Sequence, residues 1–171
     1  MALLRDNLLA GHRIAVSGTA GEALPATLLE LGAEVEFLAV EKLPAEDERV
    51  GEWARARAPL NALVHCAGDD AALEEAWAAV REVATGALID ADAPGKLVLV
   101  APRPDAAAAR AGLESLARTL SVEWARYALT AVAIAPGVRT TDEQLAQVVC
   151  FALSEGGGYL SGCRLELGAV G

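Results

Sequence analysis

Short apolar runs and stretches with helical apolar spacing alternate along this chain from one end to the other. Residues 13–17 form an apolar run that ends in Gly18-Thr19-Ala20-Gly21. A helix is predicted next, carrying Leu24, Leu28, Leu29 and Leu31 and closed by Gly32. Residues 34–40 then alternate as a strand. Strand, glycine turn, helix and strand in that order make the opening unit of a doubly wound α/β fold.

The same alternation continues. A charged helix is predicted over 45–58 around Trp53, and a buried strand over 61–66 is halted by Ala67-Gly68. A helix over 72–88 carries Leu73, Trp77, Val80 and Ala84 on one stripe. Residues 96–101 are continuously apolar, the pattern of a parallel strand covered on both faces. Pro104 and Asp105 are read as the start of the longest helix, with Leu113, Leu116, Leu120 and Trp124 at helical spacing. A strand over 131–135 ends in Pro136-Gly137, a helix over 142–154 carries Leu145, Val148, Val149 and Ala152, and a last strand spans 163–167. The prediction is a doubly wound, Rossmann-like parallel sheet of about six strands in a single compact domain over residues 1–171.

Composition narrows the function classes. Hydrophobic residues at 54% and charged residues at 22% describe a globular chain, and aromatics at only 4% imply a core of small side chains and closely spaced helices. A net charge of −10 argues against nucleic acid and against an anionic membrane face, both of which call for a basic surface. No apolar run has the length of a membrane span, and Arg5 and Asp6 interrupt the N-terminal apolar stretch. Cys66, Cys150 and Cys163 are odd in number and lack CxxC spacing, so they read as reduced thiols of a cytoplasmic protein. Two histidines and scattered cysteines offer too few ligands for a metal site.

Five stretches in order resemble the short-chain dehydrogenase/reductase family. Asn61-Ala62-Leu63-Val64-His65-Cys66-Ala67-Gly68 is similar to its D-x-L-V-N-N-A-G strand, and Trp77, Val80 and Val83 match the apolar spacing of the following helix. The run from Leu113 to Glu123 resembles the helix after the family's catalytic Lys. Ile134-Ala135-Pro136-Gly137 is similar to its N-P-G turn, and Tyr159-Leu160-Ser161-Gly162 with Leu165-Glu166-Leu167-Gly168 to its C-terminal segment.

The resemblance implies NAD(P)-dependent oxidoreduction through a Tyr acid/base, a Lys one helical turn later that lowers its pKa and holds the nicotinamide ribose, a Ser and an Asn. Counting back from Leu113 puts the Tyr and Lys positions at Ala106 and Arg110. The Ser position falls at Ala101-Pro102 and the Asn position at Ala84. Alanine moves no proton, and a guanidinium does not replace a titrating phenol. The cofactor positions are depleted too. Ser17-Gly18-Thr19-Ala20-Gly21 is shorter than the family's T-G-x-x-x-G-x-G turn, which sets backbone N–H groups against a pyrophosphate. Ala39 and Val40 stand where a residue choosing between NAD and NADP is expected. The stretch from residue 40 to 61 holds only one helix, so a strand–helix unit is expected to be missing, as is the substrate-covering segment after Pro136-Gly137.

What remains for a cofactor are the positions Gly18, Gly21, His65, Ala67, Gly68, Arg110, Pro136 and Gly137. His65, Arg103, Arg110 and Arg139 fall near strand C-terminal ends, where ligands bind such sheets. Three guanidiniums there suggest an anion site. The alternative, favoured by the acidity of the chain, is pairing with Asp69, Asp70, Asp105 and Asp142. His65 and Cys66, as strand neighbours, point to opposite faces, which makes a Cys–His catalytic pair improbable and leaves a buried thiol beside a crevice histidine. Tyr159 is read as a packing residue, Tyr127 lies past the long helix, and Gly18 and Gly21 serve either a nucleotide or merely a sharp turn. The small residues of the helices over 72–88 and 104–125 suit close packing, and their Leu and Trp stripes suit a subunit interface, as the resemblance also implies.

The expectation is thus a family-like chain with no catalytic residue and no conventional activity, a pseudoenzyme, forming a homo-oligomer or a hetero-oligomer with an intact relative. A nucleotide- or anion-binding module is one alternative. An unconventional NAD(P)-dependent oxidoreductase using His65 or a water is another.

Overall fold

The first strand, β1 (Arg13–Gly18), buries Ile14, Ala15 and Val16 on both faces, as a central parallel strand must. This computed structural model describes residues 4–39, 48–68, 72–89, 91 and 93–168. After β1 come α1 (Ala23–Glu30), β2 (Glu34–Leu38), α2 (Glu48–Arg57), β3 (Ala62–Cys66), α3 (Ala72–Val83), β4 (Gly95–Val100), α4 (Ala107–Glu123), β5 (Leu129–Ala135), α5 (Asp142–Leu153) and β6 (Arg164–Glu166).

All pairings are parallel, in the order β2-β1-β3-β4-β5-β6. The chain winds outward from β1 in both directions, so the strand order reverses between β1 and β3. One face packs Ile14, Val16, Val64, Val98 and Ile134 against Leu24 and Leu28 of α1 and Val149 and Leu153 of α5. The other packs Leu63, Leu97 and Leu99 against Ala54 of α2, Val80 and Val83 of α3, and Leu113 and Leu120 of α4. Each fully buried leucine here contributes roughly 1.5–3 kcal/mol. This is the predicted doubly wound sheet of six strands in one compact domain.

Several boundaries differ from the pattern reading, for local physical reasons. The long helix begins at Ala107 rather than at Pro104, because a turn closes first, Ala106 N–H donating to the Arg103 carbonyl, and Ala106 itself (φ −91°, ψ 58°) is not helical. The helix predicted over 72–88 is α-helical only to Val83 and continues as one π turn, Ala84–Leu88. Gly86 in that turn lies so close to α2 that a Cβ there would sit 3.0 Å from the Ala54 methyl and 3.2 Å from the Gly51 carbonyl. The second strand stops at Leu38, and Val40, residues 45–47, Asp69 and Asp70 lie outside the described residues.

The stripes on α3 and α4 serve mainly this chain's own core. Leu113, Ala117 and Leu120 are buried, and Trp77 and Trp124 stack at 6.4 Å where the two helices meet. Leu73 and Val122 remain exposed. Among the described residues no helix is long and apolar enough to cross a membrane.

Candidate functional site

The carboxyl ends of β1, β3, β4 and β5 open into a cleft of about 470 Å³. Register explains where it opens. Gly18, Cys66, Val100 and Ile134 lie side by side across four strands, and the chain leaves the sheet just beyond them. The Ala67 amide donates to the Val100 carbonyl and the Ala101 amide to Ile134, so both exits are pinned to the neighbouring strand.

Of the eight positions offered by the sequence for a cofactor, Gly21, Ala67, Gly68 and Pro136 line this cleft. Gly18, His65, Arg110 and Gly137 do not. Gly18 has φ +79° and lies against the backbone of β3, where an added Cβ would overlap the Cys66 carbonyl. Its neighbour Thr19 donates its amide to the same carbonyl at 2.8 Å. The turn is thus fastened to β3, and one of its N–H groups is already engaged. Gly137 packs its α-carbon against the Leu167 carbonyl, and its amide donates to Thr140 Oγ1 at 2.9 Å.

The trio of guanidiniums, the less favoured of the two readings, does not converge. Arg110, 7% exposed, turns from the cleft and donates from Nη1 to the carbonyls of Pro102 at 2.8 Å and Pro136 at 2.9 Å. Its other terminal nitrogen lies 3.6 Å from Glu166 Oε1 on β6. One side chain therefore ties together the ends of β4, β5 and β6. Arg103 stays at the cleft, donating to the Thr140 carbonyl at 2.8 Å and to Asp142 Oδ1 at 3.0 Å. Arg139 is exposed. Pairing with acids accounts for Arg103, but the acid near Arg110 is Glu166, which the sequence did not single out.

His65 is a core residue rather than a crevice one. It is fully buried, in register with Ser17 and Leu99 on the α2–α4 side of the sheet, and its Nδ1 is 2.9 Å from Ser17 Oγ. Nε2 has no hydrogen-bond partner. Burial pushes the pKa of His65 down to about 4. Between pH 6.5 and about 4 the unfolded chain binds a proton that the folded chain refuses. Stability is therefore full above pH 6.5 and falls through that window by about 3 kcal/mol in total. Urea titrations across that pH range should show this slope, and His65→Asn should flatten it; an unchanged slope in the variant would assign the acid sensitivity elsewhere.

Neither tyrosine candidate lines the cleft, and Cys66 does so only as a thiol. Burial pushes the Cys66 thiol up to about 12, so it stays protonated at the cleft floor. Ala106 caps α4, Ala101 continues β4 into the cleft wall, and Ala84 is buried at the start of the π turn. Tyr159, expected to pack, is 92% exposed, because the turn Glu155–Leu160 carries it outward. Tyr127 lies beyond α4 under the Arg126 guanidinium.

Asp142, read from the sequence only as a partner for the arginines, has a second placement that the sequence did not signal. The Asp142 carboxylate hangs over the glycine turn, with Oδ2 3.5 Å from the position of a Cβ on Gly21. Asp142 opens α5, whose N-terminus is fixed by a capping box between Thr141 and Gln144. In a dinucleotide-binding fold the turn into the first helix is where a pyrophosphate sits. Here that place faces a carboxylate and one turn amide is already bonded, so the residues present do not fit a phosphate-bearing nicotinamide cofactor in this arrangement.

No protein-family model and no curated protein sequence matches the chain. Solved structures similar to it include a citronellol catabolism dehydrogenase from Pseudomonas aeruginosa, with a TM-score of 0.81 and 20% identity over 97% of each chain. A short chain dehydrogenase from Mycobacterium smegmatis gives a TM-score of 0.78 at 19% identity, covering 96% of this chain and 95% of that one. With the strand order, the switch point beside β1 and the cleft at the carboxyl ends, these likenesses establish that the chain has the fold of the short-chain dehydrogenases.

Proposed function

We propose that this chain is a short-chain-dehydrogenase-like protein without conventional NAD(P)-dependent hydride transfer, acting as an oligomer-forming or regulatory subunit, alone or with an intact relative. The observation that carries the reading is Arg110. At the position where the resemblance expects a Lys serving cofactor and acid/base, the guanidinium does not line the cleft and is engaged by the main-chain carbonyls of Pro102 and Pro136, one turn after an alanine at the Tyr position. The exposed Leu73 on α3 and Val122 on α4 support a partner surface, which the family resemblance also places on these helices.

Two measurements test the two halves of this reading. Nicotinamide absorbance assays with alcohol and carbonyl substrates should show no turnover. Light scattering should show a dimer or larger species, or association with a catalytically intact relative. Steady turnover would overturn the first half, and a monodisperse monomer that captures no relative would overturn the second.

A small-molecule binding module in the cleft is the second reading, favoured by a volume of about 470 Å³, which is within the range of ordinary ligand sites. An oxidoreductase working through His65 has less support, since that ring is sealed from the cleft.

A further inference from the structure

Among the described residues lining the cleft, Arg103 and Asp142 are the charged ones, and they hold each other across its mouth. Arg103 reaches from the chain leaving β4, Asp142 from the first turn of α5. The two carboxylate oxygens have different neighbours: Oδ1 accepts from Arg103 at 3.0 Å, while Oδ2 faces the α-carbon of Gly21. The second Arg103 nitrogen donates to the Thr140 carbonyl at 2.8 Å, which fixes the guanidinium against the segment that presents Asp142.

We propose that this pair is an autoinhibitory latch, in which the Asp142 carboxylate takes the place of a phosphate at the glycine turn and keeps phosphate-bearing anions out of the cleft. Two effects act together. A fixed negative charge a few ångströms from the turn repels an incoming anion, and the cation best placed to attract one is neutralised by the same carboxylate. Opening the latch reverses both, because it frees a guanidinium able to grip a phosphate with two nitrogens. The side chains are 48% and 61% exposed, and such pairs contribute little to stability, so the latch opens without unfolding its surroundings. This goes beyond the subunit reading and does not depend on it, since it concerns the cleft and not the oligomeric state.

The test is calorimetric titration of inorganic pyrophosphate, at low salt, into the native full chain, into Asp142→Asn and into Asp142→Asn/Arg103→Gln. Asp142→Asn is expected to bind pyrophosphate at least about 10-fold more tightly than the native chain, as removal of one nearby charge implies. The gain should shrink as salt is raised. The double variant should fall back towards native affinity. Asp142→Ser, which keeps a residue suited to a helix start, provides a second removal of the charge should the amide disturb α5. If both single variants melt like the native chain and neither binds pyrophosphate more tightly, the latch is refuted. A double variant that keeps the full gain would refute the part assigned to Arg103.

Discussion

Gly18→Ala is expected to cost about 4 kcal/mol or more of folding stability, a large fraction of what a single domain commonly has. Two independent penalties combine. The backbone at φ +79° is strained for any residue with a side chain, at roughly 1–3 kcal/mol. The new methyl would also be driven into the Cys66 carbonyl, a main-chain group that cannot rotate aside. Relief requires β1 and β3 to separate at the centre of the sheet, with overpacking costs of roughly 1–3 kcal/mol. Gly21→Ala is the control. Its methyl would meet Asp142 at 3.5 Å, an ordinary contact with an exposed side chain, so a change within about 0.5 kcal/mol is expected. Urea denaturation of the two variants decides the role of Gly18. A folded Gly18→Ala chain with native stability would mean that the glycine serves a ligand and not the strand junction.

Arg110→Met should lower unfolding stability by about 2–4 kcal/mol, the range for leaving two buried acceptors without a donor. The chemistry of the bonds makes the prediction specific. Both acceptors are neutral carbonyls, so the loss should change little between low and high salt. Glu166→Gln should cost less than about 1 kcal/mol, because that carboxylate is 3.6 Å away and largely exposed. Arg110→Lys should recover part of the loss, since an ammonium donates to carbonyls but lacks the planar fork. A strongly salt-dependent loss, or equal losses at Arg110 and Glu166, would recast the contact as an ion pair.

The sequence pattern made the alternation of elements legible, because parallel strands covered on both faces must be continuously apolar. Val98 and Leu99 in β4, or Ala133 and Ile134 in β5, had no other use. Side-chain direction near the strand ends was less legible. His65 and Cys66 are adjacent, yet one faces α2–α4 and the other the cleft floor, and which does which depends on registration with Ser17 and Gly18. Arg110 was misplaced for a different reason. A bond to a main-chain carbonyl leaves no trace in the identity of the residue that accepts it, so Pro102 and Pro136 gave no hint of a buried guanidinium beside them. The π turn was hidden in the same way, because Gly86 is explained only by a partner helix far away in sequence.

The Arg110 contact also bears on how freely this cleft can change over generations. A guanidinium that holds backbone oxygens is indifferent to the side chains attached to them. Replacements at the mouth of β4 or β5 alter what the cleft presents to a ligand while the oxygens stay where they are. Variation in the lining is thereby uncoupled from the integrity of three strand ends, and selection can rework the recognition surface one residue at a time on a frame that stays fixed.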